Sequence, residues 1–418
     1  MSEADRLDVV VIGAGPAGAG AALRLAQRGV SVLLVDRQRL PRAKVCGGCL
    51  HRRGAARLAQ WGVADDILRA CGAERLVRSE LVAGGRTLVW PRGHGWSVDR
   101  AAFDLALANA AAQRGATLED RTAARVLRAD RRGSTSGWSV RLRHADGQER
   151  TVHPTWVFVA DGLGGSALSG LKAEDAGTFA VTHRRGSYVG TGALLGDDMP
   201  GFESFDLPAG DVRMFVGRGG YVGAVRTNAV PGQAGPSRGI EFAAAMRPGL
   251  LKDCGGIGAA VSRLMTEAQD NRDVAETIGR ANWRMTPPLT AFRKHVAAPG
   301  LLIVGDAAGY VEPFTGEGMA WALQSADDAS DVVAEALDGT LSYDAAAARW
   351  TKRDARQRRL GRMWCWGTRA TLRQPALIQA LTTTGQALQK RTWRSAVSNA
   401  SAANETSTQA RKFAEATP

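Results

Sequence analysis

The sequence predicts an α/β fold: a Rossmann-like nucleotide-binding domain with an inserted, mostly antiparallel β-sheet and a C-terminal helical segment. Three observations predict it. Near the N-terminus, a β-branched strand runs into a glycine-rich turn and a helix. Far downstream, two further apolar strands each deliver an aspartate to a loop. Between these units, apolar and polar residues alternate in segments rich in turn formers, which is typical of antiparallel strands with one exposed face.

Length and composition are those of a soluble globular protein. The chain has 418 residues, of which 44% are hydrophobic and 23% charged, enough for two or three domains. Apolar runs stay well short of the ~20 residues that cross a bilayer. The acidic N-terminus, MSEADRLDVV, is unlike a secretory signal. Five scattered cysteines form no disulfide framework. We therefore expect a cytoplasmic protein.

The net charge of +13 is concentrated near the C-terminus. Residues 341–418 carry 14 Lys and Arg against 4 Asp and Glu, a net of +10. Helical patterning dominates there, and we expect these helices to pack on the inserted sheet domain. Peripheral contact with an anionic membrane through their basic faces is the alternative. Because no nucleic-acid-binding module is recognisable, we expect no nucleic acid partner. The oligomeric state is not predicted.

The N-terminal unit has the pattern of a dinucleotide-binding βαβ unit. Its parts are a strand over residues 7–12, a helix that ends at Gly29 and a second strand over residues 31–35. Gly13 permits a tight turn, Gly15 lets the backbone approach a pyrophosphate, and Gly18 lets the helix pack closely on the strand. Asp36, at the end of the second strand, is placed to accept a hydrogen bond from a ribose hydroxyl.

Two downstream strands end in acidic residues. Residues 301–304 form an apolar strand that ends in Gly305 and Asp306, followed by a helix predicted from about Gly316 to Leu337. Another apolar strand, within TWVFVADGLGGSAL (155–168), delivers Asp161 to a loop. Acidic residues at the carboxyl ends of strands lie where α/β sheets bind ligands.

These three segments, in this order and spacing, resemble the FAD-dependent oxidoreductases of the p-hydroxybenzoate hydroxylase group. PRAKVCGG and PFTGEG are most similar to its geranylgeranyl reductase branch. The resemblance covers roughly residues 5–340. It implies non-covalent FAD, NAD(P)H as electron donor and a small lipophilic substrate. We predict a discontinuous FAD-binding domain over residues 1–75, 99–175 and 285–340, a substrate domain over 76–98 and 176–284, C-terminal helices over 341–395 and a disordered tail over 396–418.

The resemblance also implies roles for single residues. The ADP half of FAD would be held by Gly13, Gly15, Gly18 and Asp36. Arg100 would contact the phosphate–ribityl region, and Asp161 would lie near the pyrophosphate and the approaching nicotinamide. The ribityl chain would be bound by Gly305 and Asp306, and Gly316 and Gly318 would face the flavin. The last role also has a physical basis. A helix that begins near Gly316 stabilises the negative charge of reduced flavin through its dipole and unpaired N–H groups, by ~1–2 kcal/mol.

Residues 41–54, PRAKVCGGCLHRRG, leave three interpretations open: a redox disulfide, half of a metal site, or a glycine turn beside something flat. The other cysteines are single, so we expect no metal. A flavin-linked disulfide reductase would carry a second dinucleotide-binding unit, which the sequence lacks. The resemblance then favours a glycine turn against the flavin, with Cys46 bordering the substrate cavity and Cys49 a small buried residue.

The substrate and the reaction stay less defined. Where geranylgeranyl reductases have a Tyr-x-Trp-x-Phe-Pro stretch after two glycines, this chain has Tyr221 followed by Val-Gly-Ala-Val, which predicts a wider cavity near Gly223. Cys46 and Tyr221 are the candidate catalytic residues. Three functions remain: a reductase of C=C bonds in a prenyl-like substrate, a monooxygenase acting on a lipophilic phenol or other aromatic substrate, and a non-catalytic flavin electron carrier.

Overall fold

A computed structural model describes residues 7–92, 95–128, 137–196, 205–228, 238–269, 272–311, 316–372, 378, 380 and 383–384. The predicted tail over 396–418 lies outside these residues, as does most of the stretch from 373 to 395. The strands are β1 (Val9–Ile12), β2 (Val32–Val35), β3 (Cys49–Leu50), β4 (Glu74–Arg75), β5 (Arg78–Ala83), β6 (Arg86–Pro91), β7 (Trp96–Ser97), β8 (Thr117–Glu119), β9 (Thr122–Arg128), β10 (Trp138–His144), β11 (Glu149–Val152), β12 (Trp156–Val159), β13 (Val181–His183), β14 (Val189–Gly196), β15 (Asp211–Gly217), β16 (Gly220–Asn228), β17 (Arg238–Met246), β18 (Arg284–Pro288), β19 (Ala291–Arg293), β20 (Ala297–Ala298), β21 (Leu301–Ile303) and β22 (Gly309–Tyr310). The helices are α1 (Pro16–Ala26), α2 (Arg52–Gln60), α3 (Ala64–Ala70), α4 (Arg100–Gln113), α5 (Ala173–Thr178), α6 (Pro248–Cys254), α7 (Ile257–Gln269), α8 (Arg272–Gly279), α9 (Gly318–Leu337) and α10 (Tyr343–Leu372).

The nucleotide-binding half is built on a six-stranded sheet in the order β20-β21-β12-β1-β2-β8. All neighbouring pairs are parallel except β20 with β21. Strands β1, β2, β12 and β21 are buried along their whole length, because helices cover both faces of a parallel sheet. Helix α1 ends at Ala26, three residues before the predicted end, and Gly29 adopts φ +76° in the turn that follows. The predicted fold class is confirmed.

The second sheet has seven strands in the order β18-β14-β17-β16-β15-β5-β6, antiparallel except for β15 with β5. Its residues come from 78–83, 86–91, 189–196, 211–217, 220–228, 238–246 and 284–288. One face packs on α7, with Phe215, Phe242 and Leu264 fully buried between them. The opposite face turns toward the nucleotide-binding sheet. We keep the predicted domain boundaries as a proposal that this division of sheets supports.

Helix α10 packs on the nucleotide-binding half. Trp350 is fully buried and its indole N–H donates to the carbonyl of Ile303 at 3.1 Å, and Gln357 donates to the carbonyl of Trp321 at 3.0 Å. The expectation that the C-terminal helices pack on the inserted sheet domain is therefore wrong for α10, because the indole of Trp350 binds at the end of β21. Ile378 does contact that domain, in an apolar cluster with Tyr221. No helix in the described part of the chain is long and apolar enough to span a membrane.

Candidate active site

A cavity of about 1590 Å³ lies between the two sheets. Every residue predicted for the site lines it except Gly18 and Gly305. The structure therefore brings together segments separated by up to about three hundred residues along the chain. One half of the cavity is bounded by glycine turns and charged side chains of the nucleotide-binding sheet. The other half is bounded by the face of the seven-stranded sheet.

The glycine turn after β1 forms the floor at one end of the cavity. Gly13 adopts φ +105°, and a Cβ on it would lie 2.5 Å from the carbonyl oxygen of Ala160. A Cβ on Gly18 would overlap the carbonyl oxygen of Gly13, so Gly18 serves the close packing of α1. Gly15 precedes the first residue of α1 and faces the cavity. This arrangement leaves the N-terminus of α1 open to an anionic group.

Asp36 is held at the end of β2 with its carboxylate beside this turn. Oδ2 accepts from the backbone N–H of Ala14 at 2.9 Å and from Arg42 at 3.1 Å, and Oδ1 accepts from the N–H of Gln38 at 2.9 Å. A carboxylate has about four lone-pair sites. One remains for a ribose hydroxyl, so the predicted role fits the observed geometry.

Buried ion pairs connect Asp36 to the middle of the cavity. Arg42 joins the carboxylates of Asp36 and Asp104, each at 3.1 Å. Asp104 is fully buried and also binds Arg100 through both oxygens at 3.1 Å. Burial opposes the charge of Arg100, but Asp104 and Cys46 raise its pKa above the ordinary value. The chain of alternating charges places a fixed guanidinium next to the Cys46 thiol.

Lys44 and Asp306 face each other across the cavity. Burial lowers the pKa of Lys44, and the carboxylate of Asp306 raises it again. Burial likewise raises the pKa of Asp306, and the charges of Lys44 and Arg100 lower it. Neighbouring Gly305, with φ +61°, lies against α1: a Cβ on it would be 2.6 Å from that of Ala17. Gly305 is thus a packing position, while Asp306 lines the cavity.

Asp161 has one carboxylate oxygen without a hydrogen-bond partner in the described part of the chain. Its Oδ2 accepts from the backbone N–H of Ala167 at 2.8 Å. Its Oδ1 is buried and accepts no hydrogen bond from the described residues. Burial raises the pKa of this carboxyl. A buried acceptor without a donor is costly, and it fits a site that is completed by hydroxyl or amide donors of a bound molecule.

The thiols of Cys46 and Cys49, at the two ends of the Cys46–Cys49 turn, differ in their exposure to solvent. Cys46 is partly exposed and Cys49 is buried, and both are free. Burial raises the pKa of Cys49 to about 11. Gly48 adopts φ +56°, and a Cβ on it would lie 2.6 Å from Oε2 of Glu241. No group of three metal-ligating side chains is found anywhere in the described ranges.

Helix α9 begins two residues later than predicted, at Gly318, with Glu317 as its N-cap residue. Gly316 adopts φ +72°, and a Cβ on it would lie 3.0 Å from that of Cys49. Gly316, Glu317 and Gly318 all line the cavity. The N-terminus of a 20-residue helix therefore opens on the Cys46–Cys49 turn. The preceding residues 313–315 of the PFTGEG motif lie outside the described part of the chain.

The sheet side of the cavity is lined by small and apolar residues. Tyr221, Gly223, Ala243 and Ala245 lie on one face of β16 and β17 and line it. Met214 lies over Gly223, where a Cβ would meet its sulfur at 2.8 Å. The extra space predicted near Gly223 is thus filled by Met214, which comes from the neighbouring strand.

The charged residues that the sequence analysis did not assign to the site include Arg42, Lys44, Asp104 and Glu241. Arg42 and Lys44 lie inside the PRAKVCGG motif, so the motif itself was their signal. Asp104 follows Arg100 by four residues in α4, the spacing of an intrahelical ion pair. Glu241 has no signal in the sequence, since it is one acid in an alternating strand.

Known proteins resemble the chain in both sequence and fold. The family model described as FAD binding domain matches residues 6–185. Digeranylgeranylglycerophospholipid reductase 2 of Methanococcoides burtonii is 27% identical over 81% of this chain and 78% of its own length. Menaquinone reductase of Mycolicibacterium smegmatis is 27% identical over 82% of this chain and 79% of its own length. A geranylgeranyl bacteriochlorophyll reductase-like structure from Thermoplasma acidophilum superposes with a TM-score of 0.68 at 18% identity, covering 91% of each chain.

Proposed function

We propose that the chain, an FAD-dependent oxidoreductase similar to digeranylgeranylglycerophospholipid and menaquinone reductases, reduces C=C bonds in a lipophilic, prenyl-like substrate. We further propose NAD(P)H as the source of electrons. A hydroxylase acting on an aromatic or phenolic substrate is the alternative that the experiment below separates.

The observation that carries the proposal is the size and division of the cavity. Pockets of about 300–1,000 Å³ accommodate one drug-sized ligand. The volume of about 1590 Å³ leaves room for a second molecule beside a dinucleotide. The charged half fits the dinucleotide and the apolar half fits a hydrocarbon chain, which is what saturation of a prenyl group requires.

The residues of the charged half fit FAD. We assign the ADP part to the open N-terminus of α1 and to the free acceptor site of Asp36. The ribityl hydroxyls are assigned to Asp306, and Lys44 supplies positive charge beside the phosphates. The N-terminus of α9 stabilises negative charge at the far end of the cavity. Bound FAD supplies the two-electron chemistry, the delivery of a hydride to one alkene carbon.

Cys46 and Tyr221 are the proposed contacts to the reacting part of the substrate. Both line the cavity, and burial raises the pKa of the Cys46 thiol, so it holds its proton at neutral pH. A protonated thiol next to the cofactor is suited to protonate the alkene carbon that does not receive hydride. Tyr221 lies deeper, in the apolar cluster with Leu81 and Leu289, where it would hold the hydrocarbon chain.

The substrate would reach the cavity from a lipid phase. We propose that the basic C-terminal helices give the cytoplasmic protein peripheral contact with an anionic membrane, since residues 341–418 hold a net charge of +10. Electrostatic attraction of about 1 kcal/mol per basic residue near an anionic surface is enough for reversible attachment by several residues.

The test is a two-stage reoxidation experiment. The FAD enzyme is reduced anaerobically with NADPH or NADH, then mixed with a polyprenyl phospholipid, which has no other group that accepts two electrons. Reoxidation without oxygen, together with a product two hydrogens heavier, supports the reductase. The fully saturated form of the same lipid is the matched control and should leave the enzyme reduced. Reoxidation only after oxygen is admitted, with hydroxylated product, would replace the proposal by the monooxygenase.

A further inference from the structure

Glu241 extends from the seven-stranded sheet into the back of the Cys46–Cys49 turn. Its neighbours along β17, Ile240 and Phe242, are fully buried in the core under α7. Because side chains alternate along a strand, Glu241 points to the opposite face, toward the nucleotide-binding half. There its Oε2 occupies the space that Gly48 leaves by having no side chain, 2.6 Å from where a Cβ would lie.

Few charges face this carboxyl group. From α4 and its cap, Asp99 and Arg100 act on it, and from the turn the two thiols couple with it. Its cross-strand neighbours Val225 and Leu194 carry no charge. Burial raises the pKa of Glu241 to about 8, Asp99 raises it too, and Arg100 lowers it. At neutral pH the carboxyl group of Glu241 is therefore mostly protonated, and it ionises as the pH rises through about 8.

Cys46 is subject to opposing influences. Burial raises its pKa, Arg100 lowers it through charge and a hydrogen bond, and the carboxylate of Glu241 raises it. Two neighbouring acids whose charges interact titrate as a pair, and the first to ionise suppresses ionisation of the second. With a pKa of about 8, Glu241 is the group that ionises first.

We propose that Glu241 is a positioning residue for Cys46: when its carboxyl group ionises behind the turn, its negative charge opposes ionisation of the thiol beside the cavity, which therefore keeps its proton to higher pH. The assignment of that proton to substrate rests on the proposed function. In that reaction one alkene carbon receives the hydride, its neighbour receives the thiol proton, and the C=C bond becomes single. The resulting thiolate is stabilised by Arg100 and regains a proton from water.

The experiment measures the thiol directly. The enzyme with oxidised FAD, without substrate or nicotinamide, is treated with iodoacetamide between pH 6 and 10, and alkylation of the Cys46 peptide is followed by mass spectrometry. In Glu241→Gln the rate should match wild type below pH 7. Above pH 8 it should exceed wild type about threefold or more, which corresponds to at least half a pKa unit.

Two controls separate this effect from general damage. Cys254, partly exposed on α6, reports on reagent and fold and should be alkylated equally in all variants. Glu80→Gln removes a buried carboxylate that pairs with Arg213. It lies on the same sheet but its side chain points away from the cavity, since the adjacent Leu81 belongs to the cavity-side cluster. Its Cys46 profile should follow wild type.

The wild-type protein alone provides a second test of the proposal. Because ionisation of Glu241 suppresses the thiolate, the logarithm of the Cys46 alkylation rate should bend to a lower slope near pH 8. A straight profile in wild type, or identical profiles in wild type and Glu241→Gln, would overturn the proposal. Since no turnover is involved, a shifted thiol profile in an enzyme that fails to reduce prenyl lipids would leave this proposal standing and remove the proposed function.

Discussion

Replacing Asp104 with asparagine tests the charge network that supports the cofactor half of the cavity. The carboxylate is fully buried, binds Arg100 through both oxygens at 3.1 Å and accepts from Arg42 at 3.1 Å. Asparagine keeps the size and one acceptor oxygen. Its amide nitrogen, however, is a donor that faces guanidinium donors. Asp104→Asn therefore removes the carboxylate that Arg100 pairs with directly, while Arg42 keeps its pair with Asp36.

Breaking a buried ion pair by removing one partner costs about 3–5 kcal/mol. We expect the lower end, about 3 kcal/mol, since only one of the two arginines loses its directly paired carboxylate. With an unfolding entropy of about 2.1 cal/mol/K per residue and 418 residues, this corresponds to a decrease in Tm of about 3–4 °C. FAD affinity should fall as well, because Arg100 lines the cavity.

Thermal unfolding is followed by circular dichroism with and without saturating FAD. Asp66→Asn is the matched control: Asp66 pairs with Arg69 at 3.6 Å, and its side chain is 83% exposed. Removing an exposed pair of this kind costs at most about 1 kcal/mol, so Tm should change by about 1 °C or less. If Asp104→Asn unfolds at the same temperature as this control, the network does not carry the stability assigned to it.

Three further experiments test single positions. Asp306→Ala should weaken FAD binding by about 1.5–3 kcal/mol in equilibrium dialysis, and unchanged affinity would remove Asp306 from the site. Cys46→Ser should change turnover with FAD still bound while Cys49→Ser changes it little; equal loss in both, with electron uptake beyond that of the flavin, would restore the disulfide interpretation. Gly18→Ala should prevent soluble folding because its Cβ overlaps a backbone oxygen, whereas Gly177→Ala, with open space around it, should fold normally.

The parts of the site that the sequence predicts are those set by the backbone. Gly13 and Gly18 are required by the geometry of one turn, and Asp161 and Asp306 follow from strands that end at the same edge of a parallel sheet. These constraints act over a few residues, so a single segment reveals them. The fold class can be predicted for the same reason, because the spacing of apolar residues and the length of each segment are local properties of the sequence.

The parts that escaped prediction depend on contacts between distant segments. Glu241 meets Gly48 although almost two hundred residues separate them, and Met214 fills the space over Gly223 from a neighbouring strand. Helix α10 is held on the nucleotide-binding half by hydrogen bonds from Trp350 and Gln357 to the carbonyls of Ile303 and Trp321. No local pattern encodes which side chain will face which, because it depends on how two sheets are placed against each other.

The glycines of the Cys46–Cys49 turn show how this affects interpretation of a motif. The sequence assigns Gly47 and Gly48 to the close approach of a flat ring. In the structure, Gly47 lines the cavity, but Gly48 adopts φ +56° and leaves its space to the carboxyl group of Glu241. Gly316, which also lines the cavity, is small because Cys49 packs against it. A side chain at Gly48 would therefore displace Glu241 before it touched a cofactor. The second glycine of the motif thus makes room for the carboxyl group that, in our proposal, controls ionisation of the Cys46 thiol.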